Sequence, residues 1–358
     1  MAQFKKTAEC ILKGIDDEVF PCAALALGDK EGEKFRIHAG FSALYPEKSK
    51  LTEDTLFDLA SVTKIMSTTM VALKLIESGE LGFRDKISKY FDTPMDKKDI
   101  TIYNLLTHTA GMPRNARVEE MAKSPEDIVQ TILSLEFSEK SGAAYTCLGY
   151  IVLGKICEGI KGRDLSILAK EMIFEPLGLK NTMYNPDKSK YSIVTTEYKE
   201  KYGCHIHGSV HDEKARFLNG IAGNAGLFSD ISDCSIFAAM LANKGVVDGK
   251  EFLNRDLFNE SIKNHTKHLS DLSESRGYGF FIKDSDPSPA GDIFPIGSYG
   301  HTGFSGTSIW VDKDTSQYIV LLSNRIHPSR ENMKIQEFRT KLHTICAEEY
   351  RASLREIR

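Results

Sequence analysis

The apolar positions at the start of the chain recur at helical spacing. Over residues 4–15 an apolar side chain follows every three or four positions, with charged residues between, and this predicts an amphipathic helix. The segments 22–27 and 34–39 lie on either side of a glycine-containing turn segment, and this pattern predicts two short strands joined as a hairpin. The chain therefore begins with a helix and two strands.

Helical spacing dominates the middle of the chain, and strand patterns return near its end. Apolar positions predict a helix over 61–77, and the helical pattern continues over most of 85–225. β-Branched and aromatic residues at 307–312 and 317–323 predict two further strands. An apolar stripe over 335–345 then predicts a closing helix.

Strands at both ends with a helical block between them predict a two-lobed molecule. We expect an α/β plus all-α architecture, with an antiparallel sheet built from both termini and flanked by helices. The predicted α/β lobe comprises 1–85 and 226–358, and the predicted inserted lobe, mostly helical, comprises 86–225. A cleft between two such lobes is a common place for a small-molecule site.

The composition is that of a globular protein. Hydrophobic residues make up 41% of the 358 residues and charged residues 27%. Lys and Arg number 46 against 50 Asp and Glu, giving a net charge of −4, so there is no excess of positive charge to hold a nucleic acid. No apolar run reaches the roughly 20 residues of a membrane-spanning helix. We therefore expect neither a nucleic-acid partner nor a membrane span.

The cysteines and the N-terminus favour a cytoplasmic protein. The seven cysteines are an odd number, are scattered, and include no CxxC pair, as is typical of a reducing compartment. The N-terminal segment lacks the uninterrupted apolar core and the small-residue cleavage site of a secretory signal.

The strongest chemical motif is Ser61-Val62-Thr63-Lys64 at the start of a predicted helix. A serine hydroxyl becomes a good nucleophile when a neighbouring group accepts its proton, and a lysine three residues on lies on the same helix face. The positive end of the helix dipole also favours an oxygen that becomes anionic. By itself the motif is more typical of Ser61 capping the helix while Lys64 lies in solvent.

Two more elements follow in order, Tyr145-Thr146-Cys147 and His301-Thr302-Gly303. Together the three resemble the signature elements of the serine penicillin-recognising enzymes, which include class C β-lactamases, DD-carboxypeptidases and related esterases. The resemblance extends over about 20–330 and includes the phrases LTEDTLFDLASVTK, ITIYNLLTHTAGMP and GSVHDEKARFLNGIAGNAGLFS. The last phrase, with HTGFSGTS and SNRIHPSREN, is similar to the penicillin-binding protein 4B-like subgroup of β-lactamase-related hydrolases.

The resemblance implies a role for each matching residue. Ser61 is expected to be the nucleophile that forms an acyl-enzyme. Lys64, expected to lose its proton easily in a partly desolvated cleft, acts with Tyr145 to take the serine proton and to protonate the leaving group. The backbone N–H groups of Ser61 and Phe304 are expected to form the oxyanion hole.

Four further residues are implied in substrate binding: Cys147, His301, Thr302 and Gly303. Cys147 stands where the family usually has Asn, and a thiol hydrogen-bonds an acyl amide far more weakly than an amide does. His301 stands where the family more often has Lys, and an imidazole is charged only below about pH 6.5. Both departures favour a broader ester or amide scope over efficient recognition of β-lactams or D-Ala-D-Ala.

The remaining histidines suggest alternatives. Cys204, His205, His207 and His211 are residue types that bind zinc, but their spacing matches no standard zinc pattern, so we predict no metal. His207 and His211 are expected to hydrogen-bond to the backbone beside the cleft. We expect a structural hydrogen bond, rather than a general base, at His108.

The sequence therefore predicts a serine hydrolase that needs no cofactor. Its expected substrates are small amides or esters, such as D-amino-acid peptides, muropeptide fragments or β-lactams. A catalytically silent sensor of cell-wall peptides, using the same cleft, is the alternative.

Overall fold

Strands from both ends of the chain form one antiparallel sheet of seven strands. The computed structural model describes residues 4–138, 143–269 and 274–356. The strands of the described residues are β1 (Cys22–Asp29), β2 (Gly32–Ala43), β3 (Ser49–Lys50), β4 (Phe57–Asp58), β5 (Met183–Tyr184), β6 (Thr195–Lys199), β7 (Cys204–His207), β8 (Leu227–Ser229), β9 (Val246–Val247), β10 (Lys250–Glu251), β11 (Phe281–Ile282), β12 (Tyr299–Thr302), β13 (Ser308–Val311) and β14 (Tyr318–Ser323).

The helices connect and cover these strands. The α-helices are α1 (Lys5–Asp16), α2 (Met70–Glu77), α3 (Ile102–Leu106), α4 (Val118–Met121), α5 (Ile128–Ser134), α6 (Leu148–Lys161), α7 (Leu165–Ala169), α8 (Glu175–Leu177), α9 (Glu213–Phe217), α10 (Ile231–Ala242), α11 (Arg255–Ser261) and α12 (Ile335–Glu356).

The large sheet has the order β11-β12-β13-β14-β1-β2-β3. The first three strands of the chain therefore meet its last four, with β1 and β14 paired antiparallel at the centre. This arrangement confirms the predicted fold class, a sheet assembled from both termini. The predicted hairpin at 22–39 is present as β1 and β2.

The sheet is covered by helices on both faces, and the central strands are buried throughout. On β1, Leu25 and Leu27 pack into the apolar cluster that includes residues of α1 and α12. The alternate residues Ala24 and Ala26 pack into the cluster that includes residues of α10. Burial on both faces explains why β1 is a nearly continuous apolar run rather than an alternating one.

The predicted closing helix is α12, and its apolar stripe faces the sheet. Ile335 and Leu342 are buried, and Phe338 and Ile345 pack against the same cluster. The helix thereby covers the face of the sheet that carries Trp310, a fully buried residue.

The middle of the chain is mainly helical, as predicted, but it also contributes three strands. Helices α3 to α9 lie between residues 102 and 217. Strand β5 pairs with β8, and β6 pairs with β7 as a hairpin. These strands are only two to five residues long, which is too short for a clear period-two pattern.

The helix predicted over 61–77 begins irregularly. A single 3₁₀ turn covers Ala60–Val62, a π-helical segment covers Lys64–Thr69, and α2 completes the helix. All six residues of the π-helical segment are buried, so this wide turn lies inside the protein. Such π segments are frequent at functional sites.

Among the described residues, no helix combines the length and the apolar character needed to cross a bilayer.

Candidate active site

Ser61 follows a strained turn that is held by a buried carboxylate. Ala60 has a φ of +47°, a left-handed conformation that costs an alanine about 1–2 kcal/mol. Asp58 accepts hydrogen bonds from the backbone N–H of Ala60, at 2.9 Å, and of His211, at 2.7 Å. Burial raises the pKa of Asp58, against the opposing effect of these hydrogen bonds. Asp58 therefore fixes the turn that presents the serine.

The three residues predicted to carry the chemistry lie together. The Lys64 ammonium donates to Ser61 Oγ at 3.0 Å, and the Tyr145 hydroxyl donates to the same oxygen at 2.6 Å. Lys64 is fully buried and also donates to the carbonyl oxygen of Asn224 at 2.9 Å. Ser61 Oγ is therefore within hydrogen-bond reach of both an amine and a phenol.

Tyr145 is positioned by His108. The backbone N–H of Ala144 donates to the His108 carbonyl at 3.0 Å, and that of Thr146 to His108 Nδ1 at 3.4 Å. The imidazole lies 4.9 Å from the Tyr145 ring, centroid to centroid. Burial, together with the nearby Arg276, lowers the pKa of His108 well below its usual value. The structural hydrogen bond expected for His108 is present, and the neutral ring supports the catalytic tyrosine candidate.

Lys64 and Tyr145 both hold their protons at neutral pH. Burial lowers the pKa of Lys64, but the neighbouring Cys147 and Tyr145 raise it by more, so the net pKa is above the ordinary lysine value. Burial raises the pKa of Tyr145, against the effect of Lys64. The prediction that Lys64 loses its proton easily is wrong, because the net effect of its surroundings raises the pKa of its ammonium rather than lowering it.

The turn between β12 and β13 is attached to the strand that precedes Ser61. Thr307 Oγ1 donates to the Leu59 carbonyl at 3.0 Å, and Ser305 Oγ donates to the Asp58 carbonyl at 2.7 Å. A side chain at Gly303 would lie 2.5 Å from the Leu59 oxygen, so only glycine permits this approach. The predicted oxyanion donors, the N–H groups of Ser61 and Phe304, lie on the two segments that these bonds join.

Phe304 is flanked by polar groups on both sides of its ring. The His211 imidazole stacks on it at 5.8 Å and 14°, and the Arg325 guanidinium lies 4.3 Å from its centroid. Arg325 Nε also donates to the Phe304 carbonyl at 2.8 Å. His211 is in turn within 2.8 Å of the Glu197 carboxylate, which accepts from Arg330 at 2.8 Å. A network of charged side chains thus supports the residue that carries a predicted oxyanion donor.

His301 does not supply positive charge to the cleft. Burial lowers the pKa of His301 well below 6.5, and the nearby charges of Arg276 and Lys64 lower it further. Its Nδ1 is 2.8 Å from the Thr302 carbonyl and, since a carbonyl only accepts, is the protonated nitrogen. The ordinary imidazole pKa of about 6.5 therefore does not apply to His301, and the ring stays neutral to a lower pH than a free histidine.

Arginines that sequence reasoning missed supply positive charge to the cleft, whose lining also includes the carboxylates of Asp212 and Glu274. The Arg276 guanidinium lies 4.8 Å from the Tyr145 ring centroid, and its Nε and Nη1 are buried without a hydrogen-bond partner in the described part of the chain. Arg339 on α12 is 6% exposed, and its buried Nε likewise has no partner among the described residues. Burial and the charge of Arg325 lower the pKa of Arg339 to about 10, so it remains a cation.

Cys147 and Asn224 complete the surroundings of the lysine. Cys147 Sγ is 3.6 Å from Lys64 Nζ, so the second signature element contacts the lysine as well as the serine. The Asn224 side chain donates to Asp212 at 3.1 Å, which orients the backbone that accepts from Lys64. Asn224 lies in the sequence GNAG, and this short glycine-containing phrase was the feature of the sequence from which its place near Lys64 could have been predicted.

The Cys204–His211 region is not a cluster of metal ligands. His205 stacks on Tyr45 at 5.7 Å, and His207 Nδ1 is 3.1 Å from the Thr195 hydroxyl. His211 contacts Glu197, as described above. The expectation that His207 and His211 bond to the backbone through their side chains is wrong, because each ring contacts another side chain. Within the described ranges, no group of three or more His, Cys, Asp or Glu residues could hold a metal ion.

The predicted site residues share one cleft of about 370 Å³ with the residues that the sequence did not indicate. Its lining includes Ser61, Tyr145, Cys147, Asp212, Arg276, His301, Thr302, Gly303, Phe304 and Arg339. The structure therefore brings all the predicted site residues to one place, and their catalytic and binding roles stay predictions. The arrangement can supply a nucleophile, a proton acceptor and donor, and cations for an acidic substrate.

The chain is similar in sequence to proteins of a known family. A family model described as Beta-lactamase matches residues 7–341. A curated relative from Salmonella gallinarum, named "Putative D-alanyl-D-alanine carboxypeptidase", is 30% identical over 328 residues, covering 82% of this chain and 75% of the relative.

Two solved structures show the same fold. EstCE1, described as a hydrolase with promiscuous acyltransferase activity, has a TM-score of 0.75 at 19% identity and covers 96% of this chain and 98% of its own. A penicillin-binding protein homolog from Caulobacter crescentus has a TM-score of 0.76 at 16% identity and covers 98% of each chain. The family match and the curated relative confirm the resemblance found in the sequence. The chain therefore belongs to the β-lactamase family of serine hydrolases.

Proposed function

We propose that the protein hydrolyses small amides or esters through an acyl-enzyme on Ser61. The observation that carries the proposal is the position of Ser61 Oγ, 3.0 Å from Lys64 Nζ and 2.6 Å from the Tyr145 hydroxyl. Both groups donate to Ser61 Oγ in the resting state, and the loss of the Tyr145 proton turns this contact into the proton acceptor that a serine nucleophile requires.

We assign the role of proton acceptor to the phenolate form of Tyr145, which the adjacent Lys64 ammonium stabilises. Once the pair has lost one proton, the state with a Tyr145 phenolate beside a Lys64 ammonium keeps opposite charges in contact inside a buried site. The phenolate takes the proton of Ser61 as its oxygen attacks the substrate carbonyl. Tyr145 then gives that proton to the departing amine or alcohol, and the same exchange with water releases the acid.

The backbone supplies the electrostatic part of the reaction. The N–H groups of Ser61 and Phe304 are our proposed donors to the carbonyl oxygen as it becomes negative. Donors fixed by the surrounding hydrogen bonds need no reorganisation during the reaction, and one such donor is typically worth about 3–4 kcal/mol of transition-state stabilisation.

The charges of the cleft favour a substrate that carries a carboxylate. Arg276 and Arg339 present buried N–H groups that have no partner within the described residues. A buried cation without a partner is costly, and a carboxylate can satisfy a guanidinium through two parallel hydrogen bonds. D-Amino-acid peptides with a free carboxylate fit this requirement. The name of the Salmonella relative, a putative D-alanyl-D-alanine carboxypeptidase, refers to a substrate of this kind.

The test is intact-protein mass spectrometry after incubation with an activated p-nitrophenyl ester and with a fluorescent penicillin. We expect a covalent adduct on the wild type and none on Ser61→Ala. Lys64→Ala is expected to form the adduct much more slowly, since the ammonium contacts both the nucleophile and the phenol. No adduct with any acyl donor would instead support the catalytically silent sensor, which no observation of this structure favours.

A further inference from the structure

A second cavity adjoins the catalytic cleft. It has a volume of about 850 Å³ and lies between α12 and the segment 287–292. Five residues line both spaces and mark the junction: Glu274, Phe281, Thr302, Gln336 and Arg339. The cleft is therefore open at this end, and a ligand that fills it can continue into the larger cavity.

The position of Tyr145 relates this end of the cleft to the leaving group of the substrate. In the proposed mechanism, Tyr145 protonates the leaving group, so the leaving group departs along the side of the tyrosine. Arg276 lies 4.8 Å from the Tyr145 ring centroid and His301 lies 5.8 Å from it. Both residues line the cleft together with the junction residues. We therefore assign the leaving group to the end of the cleft that opens into the second cavity.

Two guanidinium groups with N–H donors that are free within the described residues lie at the junction or beside it. Arg276 forms an ion pair with Glu274 through Nη2, while its Nε and Nη1 have no partner in the described ranges. Arg339 has no carboxylate partner among the described residues. Arg339 at the junction and Arg276 beside it therefore keep N–H donors available to an anionic group. The carboxylates of Asp292 and Glu337 and the ammonium of Lys341 line the second cavity as well.

Beyond the junction the cavity is mixed in character. Phe281, Pro287 and Pro289 provide apolar surface, and the hydroxyls of Ser288 and Thr340 lie beside them. Thr340 Oγ1 donates to the Ser288 carbonyl at 3.0 Å, which ties α12 to the opposite wall. Apolar walls with a few polar groups are typical of a site for a small organic ligand, and the volume lies within the usual range of such sites.

We propose that this cavity is a subsite for peptide leaving groups of dipeptide size, with an acidic residue at the junction. This proposal rests on the proposed function and names its substrate class. The enzyme then cleaves an amide bond within a peptide, and the acidic side chain of the first residue after that bond pairs with Arg339 and Arg276. A carboxypeptidase that removes a single residue would leave this cavity empty.

The test uses one acyl group, N-acetyl-D-alanyl, joined to four leaving groups. These are p-nitrophenol, D-alanine, D-aspartyl-glycinamide and its neutral match D-asparaginyl-glycinamide. For the wild type we expect kcat/KM to be at least tenfold higher for the aspartyl dipeptide than for either D-alanine or the asparaginyl dipeptide.

Two tryptophan variants on α12 test the location of the subsite. Glu337 lines the second cavity only, whereas Glu348 is exposed on the same helix and lines neither space. Glu337→Trp is expected to lower kcat/KM for the aspartyl dipeptide at least tenfold while the p-nitrophenyl ester and D-alanine substrates change less than twofold. Glu348→Trp should leave all four unchanged.

The outcomes separate the two proposals. Turnover of the p-nitrophenyl ester without a preference for the aspartyl dipeptide would overturn the subsite and leave the proposed function standing. An equal effect of Glu337→Trp on all four substrates would also overturn the subsite. Failure to turn over any of the four, the activated ester included, would overturn the proposed function and the subsite with it.

Discussion

Gly303→Ala perturbs the turn that carries the proposed oxyanion donor of Phe304. The added methyl group would lie 2.1 Å from Thr307 Oγ1 and 2.5 Å from the Leu59 carbonyl oxygen. Both distances are far below van der Waals contact, and both neighbours are fully buried, so the turn must move away from the strand that leads into Ser61. The hydrogen bond from Thr307 to Leu59, 3.0 Å in the wild type, is lost with that movement.

Gly303→Ala is expected to lower both the stability of the protein and its kcat. The Leu59 carbonyl keeps its bond from the Val62 N–H, at 3.1 Å, so losing the bond from Thr307 is expected to cost about 0.5–1.5 kcal/mol of stability, and the strain of the displaced turn adds to this. Displacing one oxyanion donor costs about 3–4 kcal/mol of transition-state stabilisation, which corresponds to a 10²–10³-fold lower kcat. KM should change little, since the donor acts mainly on the charge that develops in the transition state.

The assay combines steady-state hydrolysis of a p-nitrophenyl ester with urea unfolding followed by circular dichroism. Gly159→Ala is the matched control, because nothing lies within 4 Å of the position of its added methyl group in α6. The control should keep its kcat and gain about 0.5–1 kcal/mol of stability. If Gly303→Ala is folded and its kcat stays within threefold of wild type, the turn does not position a catalytic donor and the reasoning fails.

Three other predictions concern the same cleft. Since burial raises the pKa of Tyr145, its phenolate becomes more abundant as pH rises, so kcat/KM for a neutral ester should climb from pH 7 to beyond pH 9; a plateau reached by pH 7 would contradict this assignment. Glu197→Gln removes the charge that holds His211 against Phe304, so we expect a severalfold lower kcat for the ester at unchanged KM. A rise in KM alone would mean that the network of Glu197 and His211 binds substrate instead. Arg339→Met should raise KM at least tenfold for a substrate with a carboxylate on its leaving group and leave KM for a neutral ester unchanged. Equal effects on the two substrates would exclude the pairing of Arg339 with the carboxylate.

The local patterns of the chain determined the elements and the nucleophile. The helical spacing over 61–77 placed Ser61 and Lys64 on one helix, and the strand patterns at both ends predicted the sheet that β1 and β14 join at its centre. These signals are readable because burial on one or both faces of an element dictates which side chains alternate along it. The family resemblance added Tyr145, which no spacing argument connects to Ser61, 84 residues earlier in the chain.

Only the tertiary structure decided the electrostatics of the cleft. Arg276 and Arg339 belong to no local motif, and they reach the cleft because β11 pairs with β12 and α12 packs across the sheet. The neutral state of His301 and the retained proton of Lys64 likewise depend on burial and on charges far away in sequence. A pKa is set by everything within a few ångströms of a group, and the order of residues along a chain does not list those neighbours.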